Sequence, residues 1–179
     1  MTKKSVIFII LALAWMGVIF YFSAQDAEES TGQSDGVSYV LGNILYKDFD
    51  SWSELRKSEF AESVSSFVRK SAHMTEYGIL FFLWFEGLGG LRSDDLSAEQ
   101  TRKTGKKRFV AAGVPARLAV AFLITVIYAA SDEFHQRFVP GRTGKAADVL
   151  IDACGALAVC LIVLLVGCIK QRNTNKTGH

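Results

Sequence analysis

Residues 110–136 read VAAGVPARLAVAFLITVIYAASDEFHQ, and the reading of this stretch decides the fold. Val110–Ser131 runs for 22 residues with Arg117 as its only charge, then breaks into Asp132-Glu133-Phe134-His135-Gln136. A hydrocarbon core of about 30 Å is crossed by about 20 helical residues. The stretch is therefore read as a membrane-spanning helix that delivers two carboxylates to one membrane face. Two further runs share this character: Ser5–Phe22, 18 residues without a charge, and Val149–Ile169, 21 residues with only Asp152. Ala72–Leu91 is weaker, because His73, Glu76 and Glu86 interrupt it, yet Gly78–Phe85 is solidly apolar. The expectation is an all-α polytopic membrane helical bundle, a single domain over 1–179. Four transmembrane helices are expected at about 5–22, 72–91, 110–131 and 149–169, with amphipathic helices in an outer loop over 23–71.

Half of the residues are apolar and 13 are Phe, which agrees with a membrane protein without requiring one. Two prolines and 15 glycines in 179 residues exclude a Pro-rich or disordered chain. The net charge of +2 names no partner class. Lys3 and Lys4 before the first run resemble the n-region of a signal peptide. Cleavage at Ala24 would put bulky Phe22 where a small residue is wanted, so an uncleaved anchor is expected. Basic residues set the orientation. Lys3, Lys4, Arg92, Arg102, Lys103, Lys106, Lys107, Arg108, Lys170, Arg172 and Lys176 fall on one side in short segments; the other side carries eight in longer loops. Both termini are expected in the cytoplasm, with the chain in a bacterial cytoplasmic membrane. Arg69 and Lys70 break the rule, lying outside and hard against a helix. They point to an anionic partner at the outer surface or to headgroup snorkelling.

The three cysteines, Cys154, Cys160 and Cys168, all fall in the last run without metal-ligand spacing and read as small packing residues. Gly87, Gly89 and Gly90 follow no strand and read as a helix end, not a phosphate cradle. No cofactor, internal repeat or nucleic-acid module is indicated. In the outer loop, Gly36–Tyr46 places Val37, Val40, Leu41, Ile44 and Leu45 at helical spacing. Ser53–Val68 sets Leu55, Phe60, Val64, Phe67 and Val68 opposite Glu54, Lys57, Glu59 and Glu62. Two amphipathic helices on the outer surface or capping the bundle would fit. Trp52 between them suits an interfacial belt, and Ser23, Gln25, Ser30 and Ser34 read as a polar turn or loop.

Helical geometry groups the polar residues. Lys70, His73 and Tyr77 share a face with Glu76 beside it, and Asp132 and Gln136 lie one turn apart with Glu133 adjacent. Asp148 and Asp152 are likewise one turn apart. Asp148 suits a helix N-cap, whereas Asp152 lies one turn inside. Arg142 has the fork to grip a carboxylate or phosphate. Ionisable groups in lipid cost about 2.5–3.5 kcal/mol each on insertion scales, so a use is sought. One use is structural: His73, Arg142 and the acids neutralise one another and lock the helix ends. Another is catalytic, with His73, Glu76, Asp132 and Glu133 as acid–base candidates. The spacing is unspecific for a metal, and none is assigned.

These segments carry a family resemblance. Lys70-x-x-His73-x-x-x-Tyr77, Ser131-Asp132-Glu133-Phe134-His135-Gln136, Phe138-Val139-Pro140-Gly141-Arg142 and Asp148…Asp152-x-x-Gly155 resemble the VanZ-like family of small bacterial membrane proteins. Ser23-x-Gln25 with Ser30 and Ser34 fits the family's segment after the first helix, so the resemblance covers nearly the whole chain. It implies a cell-envelope membrane protein related to one that lowers susceptibility to teicoplanin. The expected ligand is an anionic lipid or cell-wall precursor headgroup bound by Lys70, His73, Tyr77, Asp132, Glu133, Gln136, Arg142, Asp148 and Asp152. An enzyme modifying a lipid or lipid-linked glycan, and a structural partner of an envelope complex, are the competing expectations. Oligomeric state is left open.

Overall fold

The computed structural model describes residues 2–91 and 113–177, and among them every regular element is helical. The order is α1 (Lys3–Ser23), α2 (Ala27–Leu45), a 3-10 turn (Phe49–Ser51), α3 (Glu54–Gly87), α4 (Val114–Gln136) and α5 (Ala146–Thr177). Thr2, Asp26 and Ser53 start the first three helices, each side chain accepting from the backbone N–H three residues on. Pro115 sits in the first turn of α4, where its missing N–H costs nothing. Gly89 and Gly90 take φ values of 113° and 50° beyond α3, as expected for a helix end. The basic segment Arg92–Arg108, which carries much of the orientation argument, lies outside the described residues.

Three helices, α1, α4 and the Ala146–Asn173 part of α5, are long and apolar enough to cross a membrane. Their large side chains face outward: Ile10 is 59%, Ile127 60% and Leu165 60% exposed. A soluble monomer rarely presents contiguous apolar surface of this kind, whereas lipid accepts it.

The expected helices Ser53–Val68 and Ala72–Leu91 are one 34-residue helix, α3, with no break near Arg69–Ser71. Ser53 caps its start and no Gly or Pro follows until Gly78, so nothing stops it. α3 packs against α1, α2, α4 and α5. Its lower half buries Tyr77, Gly78, Leu80, Phe81, Phe85 and Gly87. A helix surrounded by its neighbours needs less lipid-compatible surface, which explains its weaker apolar signal.

α2 also departs from the expectation. It begins at Ala27 instead of Gly36, and Ser30 and Ser34 lie within it, buried in a stripe with Ser38 and Gly42. The Ser34 and Ser38 hydroxyls donate to the Ser30 and Ser34 carbonyls at 2.9 and 2.8 Å, so burial leaves them satisfied. α2 packs against α3, Gly42 of the stripe lies under the Phe49 ring, and Val37, Val40, Ile44 and Leu45 stay exposed. Trp52 packs with Tyr46, Phe49 and Phe60, and Arg56 lies 3.7 Å over its ring.

Two apolar layers hold the bundle. Ala12, Ile19, Tyr77, Leu80 and Ala129 join α1, α3 and α4; Phe81, Phe85, Val114, Leu118, Ala121, Ala156 and Val163 join α3, α4 and α5. α3 and α5 meet most closely at two glycines. A Cβ at Gly155 would collide with the Met74 carbonyl, and one at Gly78 would meet Val159 at 3.1 Å. Small residues of this kind let membrane helices approach backbone to backbone.

Candidate functional site

The polar segments converge at the bundle end where α1 and α4 finish and α5 begins. A cavity of about 470 Å³ is lined there by Ser66, Arg69, Lys70 and His73 of α3, and by Glu133 and Gln136 of α4. Gly141, Arg142, Thr143 and Lys145 of the following turn, Ala147, Asp148, Ile151 and Asp152 of α5, and Ala27 of α2 complete it. A smaller cavity of about 220 Å³ adjoins it, lined by Phe22, Ser30, Gln33, Ser34, Val37, Val68, Ala72 and Glu76, with Arg69, His73 and Arg142 shared between the two.

The turn is shaped by backbone approach. Gly141 has φ 72°, and a Cβ there would meet Ala27 at 2.9 Å; a Cβ at Gly144 would run into the Glu133 carbonyl. The Ala27 N–H donates to the Pro140 carbonyl at 3.3 Å, tying α2 to the turn. Glu133 Oε2 accepts the Lys145 N–H at 2.9 Å, so this carboxylate braces the start of α5. Arg142 Nε donates to the Gln25 carbonyl at 2.9 Å and its Nη2 to the Phe22 carbonyl at 3.3 Å. These carbonyls sit at the negative end of α1. Burial, then the nearby Arg69, pulls the Arg142 pKa below the usual arginine range, opposed by Asp132 and Glu133.

The acids are arranged beneath. Gln136 Nε2 donates to Ser23 Oγ at 3.1 Å and to Asp132 Oδ2 at 3.3 Å, linking α1 and α4. Asp132, Asp152 and Tyr77 are all but fully buried. Asp152 Oδ2 lacks a hydrogen-bond partner, while the Tyr77 hydroxyl faces the Asp132 carboxylate. Such groups are costly without a partner. His73 Nδ1 lies 3.9 Å from both Asp152 Oδ1 and Glu76 Oε2, outside hydrogen-bond range.

Of the sequence-derived candidates, Lys70, His73, Glu133, Gln136, Arg142, Asp148 and Asp152 line the large cavity. Glu76 lines the small one, and Tyr77 and Asp132 are sealed below. Two expectations are corrected. Among the described residues Arg142 forms no ion pair with a carboxylate, so the expected closed network of Arg142, His73 and the acids is reduced to His73, which lies 3.9 Å from Asp152 and Glu76. α5 begins at Ala146, so Asp148 lies inside its first turn and not at the cap. His135 lines neither cavity; its ring rests on Phe20 at 4.6 Å. Sequence reasoning missed Ser66, Gln33 and Thr143 as lining residues. It also missed the Phe22 and Gln25 backbone carbonyls as partners of Arg142, which carry no side-chain signature. Among the described residues no three His, Cys, Asp or Glu side chains come together to hold a metal ion.

A family model described as VanZ/LLP1 matches residues 8–167, from α1 into α5 and across every segment that builds the cavities. The chain belongs to the VanZ/LLP1 family. With its three membrane-length apolar helices, this VanZ/LLP1 chain is an all-α, multi-pass membrane protein. No curated protein and no solved structure matches it.

Proposed function

We propose that this VanZ/LLP1 protein is a four-span protein of the bacterial cytoplasmic membrane whose outer-face cavity engages the anionic headgroup of a lipid or cell-wall precursor. α3 supplies the fourth span from about Ala72, and both termini lie in the cytoplasm. Lys4 pairs with Glu86 at 2.7 Å at the end opposite the cavity, which supports a bundle with one cytoplasmic and one outer pole. The outward Val37, Val40, Ile44, Leu55 and Phe67 support seating of α2 and the upper half of α3 in the outer interface.

One observation carries the headgroup reading. Arg69, Lys70 and Arg142 converge on a single cavity, and none of them forms an ion pair with a carboxylate among the described residues. Glu133, Asp148 and Asp152 share the cavity, but cations at a membrane surface that are not closed into ion pairs keep donors for a phosphate-bearing ligand. Occupying such headgroups would keep lipid-anchored glycopeptides from their targets and lower susceptibility to teicoplanin. Expression in a susceptible host tests this: survival in teicoplanin rises with the chain present, and equal survival without it removes the resistance role.

The placement of His73 between Asp152 and Glu76 favours a second reading, an enzyme that modifies a lipid or lipid-linked glycan by acid–base chemistry. The 3.9 Å separations support it less well than a formed dyad would. Lipid mass spectrometry of cells with and without the chain separates the two, since only the enzyme leaves a changed lipid.

A further inference from the structure

Farther along the same two helices lies a separate apolar groove of about 460 Å³, lined by Met74, Gly78 and Phe82 of α3 and by Gly155, Ala158 and Val159 of α5. Lys70 of the cavity stands one turn before Met74 and His73 immediately precedes it, while Asp152 stands one turn before Gly155. Gly78 and Gly155 line the groove and let the two backbones touch beside it, where added Cβ atoms would meet Val159 and the Met74 carbonyl. Ala158 adds only a methyl group.

We infer that this seam seats one acyl chain of an anionic glycerophospholipid with a hydroxylated headgroup, of the phosphatidylglycerol type, whose phosphate occupies the cavity above. The inference rests on the headgroup reading proposed above and names its ligand class. Three observations select the occupant. The cavity presents Arg69, Lys70, Arg142 and Lys145 from α3 and the turn, but Asp148 and Asp152 from α5, with Glu133 of α4 taken up by the Lys145 N–H. The cations fit a phosphate; the carboxylates repel one and accept from hydroxyl groups. Asp152 is 1% exposed and keeps Oδ2 unpartnered, a buried acceptor for such a hydroxyl. The seam runs from Met74 to Phe82, about 12 Å of helix. Half a hydrocarbon core is about 15 Å deep, so the groove suits a chain that ends at the bilayer midplane. A long isoprenoid chain would run past it.

The test uses the full chain in phosphatidylcholine nanodiscs, titrated with phosphatidylglycerol, undecaprenyl phosphate and water-soluble sn-glycerol 3-phosphate. Ala158→Phe plugs the seam at an exposed position; Leu123→Phe adds the same ring to an exposed lipid-facing site on α4 as a control. Ala158→Phe is expected to weaken phosphatidylglycerol at least about tenfold, the worth of roughly two buried methylenes. Its sn-glycerol 3-phosphate affinity stays unchanged, and Leu123→Phe has no effect on either ligand. If Ala158→Phe leaves phosphatidylglycerol unaffected while Arg142→Gln weakens both ligands, the seam inference falls and the headgroup reading stands. If Arg142→Gln weakens neither ligand, the headgroup reading falls with it. Tighter binding of undecaprenyl phosphate than of phosphatidylglycerol overturns the choice of lipid.

Discussion

The Arg142 guanidinium donates to the Gln25 carbonyl at 2.9 Å, and this bond aims a cation of the α4–α5 turn by the end of α1 and not by an acid. A charge positioned by backbone dipoles keeps more of its field than one closed into an ion pair. Arg142→Lys keeps the charge but loses the fork that spans the Phe22 and Gln25 carbonyls. It is expected to abolish function, as is Asp152→Ala, while the protein stays in the membrane. Glu54→Ala, which removes only an exposed pair with Lys57, leaves function intact. Immunoblots of membranes beside a susceptibility assay check this. Parallel loss of protein and function in both cavity variants would make the cluster purely structural.

Gly155→Ala forces a methyl group onto the Met74 carbonyl and is expected to destabilise the bundle by about 1–3 kcal/mol, the usual range for overpacking. Gly32→Ala, with nothing within 4 Å of the added carbon, is expected to gain about 0.5–1 kcal/mol. Thermal unfolding in detergent measures both. A Gly155 variant as stable as the parent contradicts the close α3–α5 approach.

The three apolar spans were readable because each carries a run that hydrocarbon alone explains. α3 was divided in two because an amphipathic pattern and an apolar pattern meet near Arg69–Ser71 without a Gly or Pro, and period changes there while the helix does not. The buried serines of α2 escaped reading for another reason. A serine hydroxyl that bonds the preceding turn of its own helix can be buried as if it were small and apolar. Most cavity-lining residues were legible as ionisable groups at the ends of apolar runs. The partners of Arg142 were not, since any residue type supplies a carbonyl.

His73→Gln separates binding from acid–base chemistry. Glutamine retains hydrogen bonding but transfers no proton near neutral pH, so an enzyme is expected to lose on the order of 10²–10⁴ in rate. A headgroup-binding protein keeps most of its effect. A lipid species made by the parent and missing from the His73→Gln strain would establish the enzyme.

Topology is testable with single cysteines in a background freed of Cys154, Cys160 and Cys168. Asp50 and Thr143 are exposed; the proposed orientation puts positions 50 and 143 outside and position 97 in the cytoplasm. An impermeant thiol reagent on intact cells is expected to label positions 50 and 143 and spare 97. The reverse pattern places the cavity in the cytoplasm.

Lys70 offers the most direct measurement, because it is exposed, lines the cavity and makes no hydrogen bond or ion pair among the described residues. Its charge can be removed with little effect on the fold. The affinity of the parent and of Lys70→Gln for sn-glycerol 3-phosphate is compared in phosphatidylcholine nanodiscs. Anion binding by the cavity predicts binding by the parent and a loss of about tenfold in the variant, the size of one charge-assisted hydrogen bond. Equal affinities, or no binding by the parent, would contradict it.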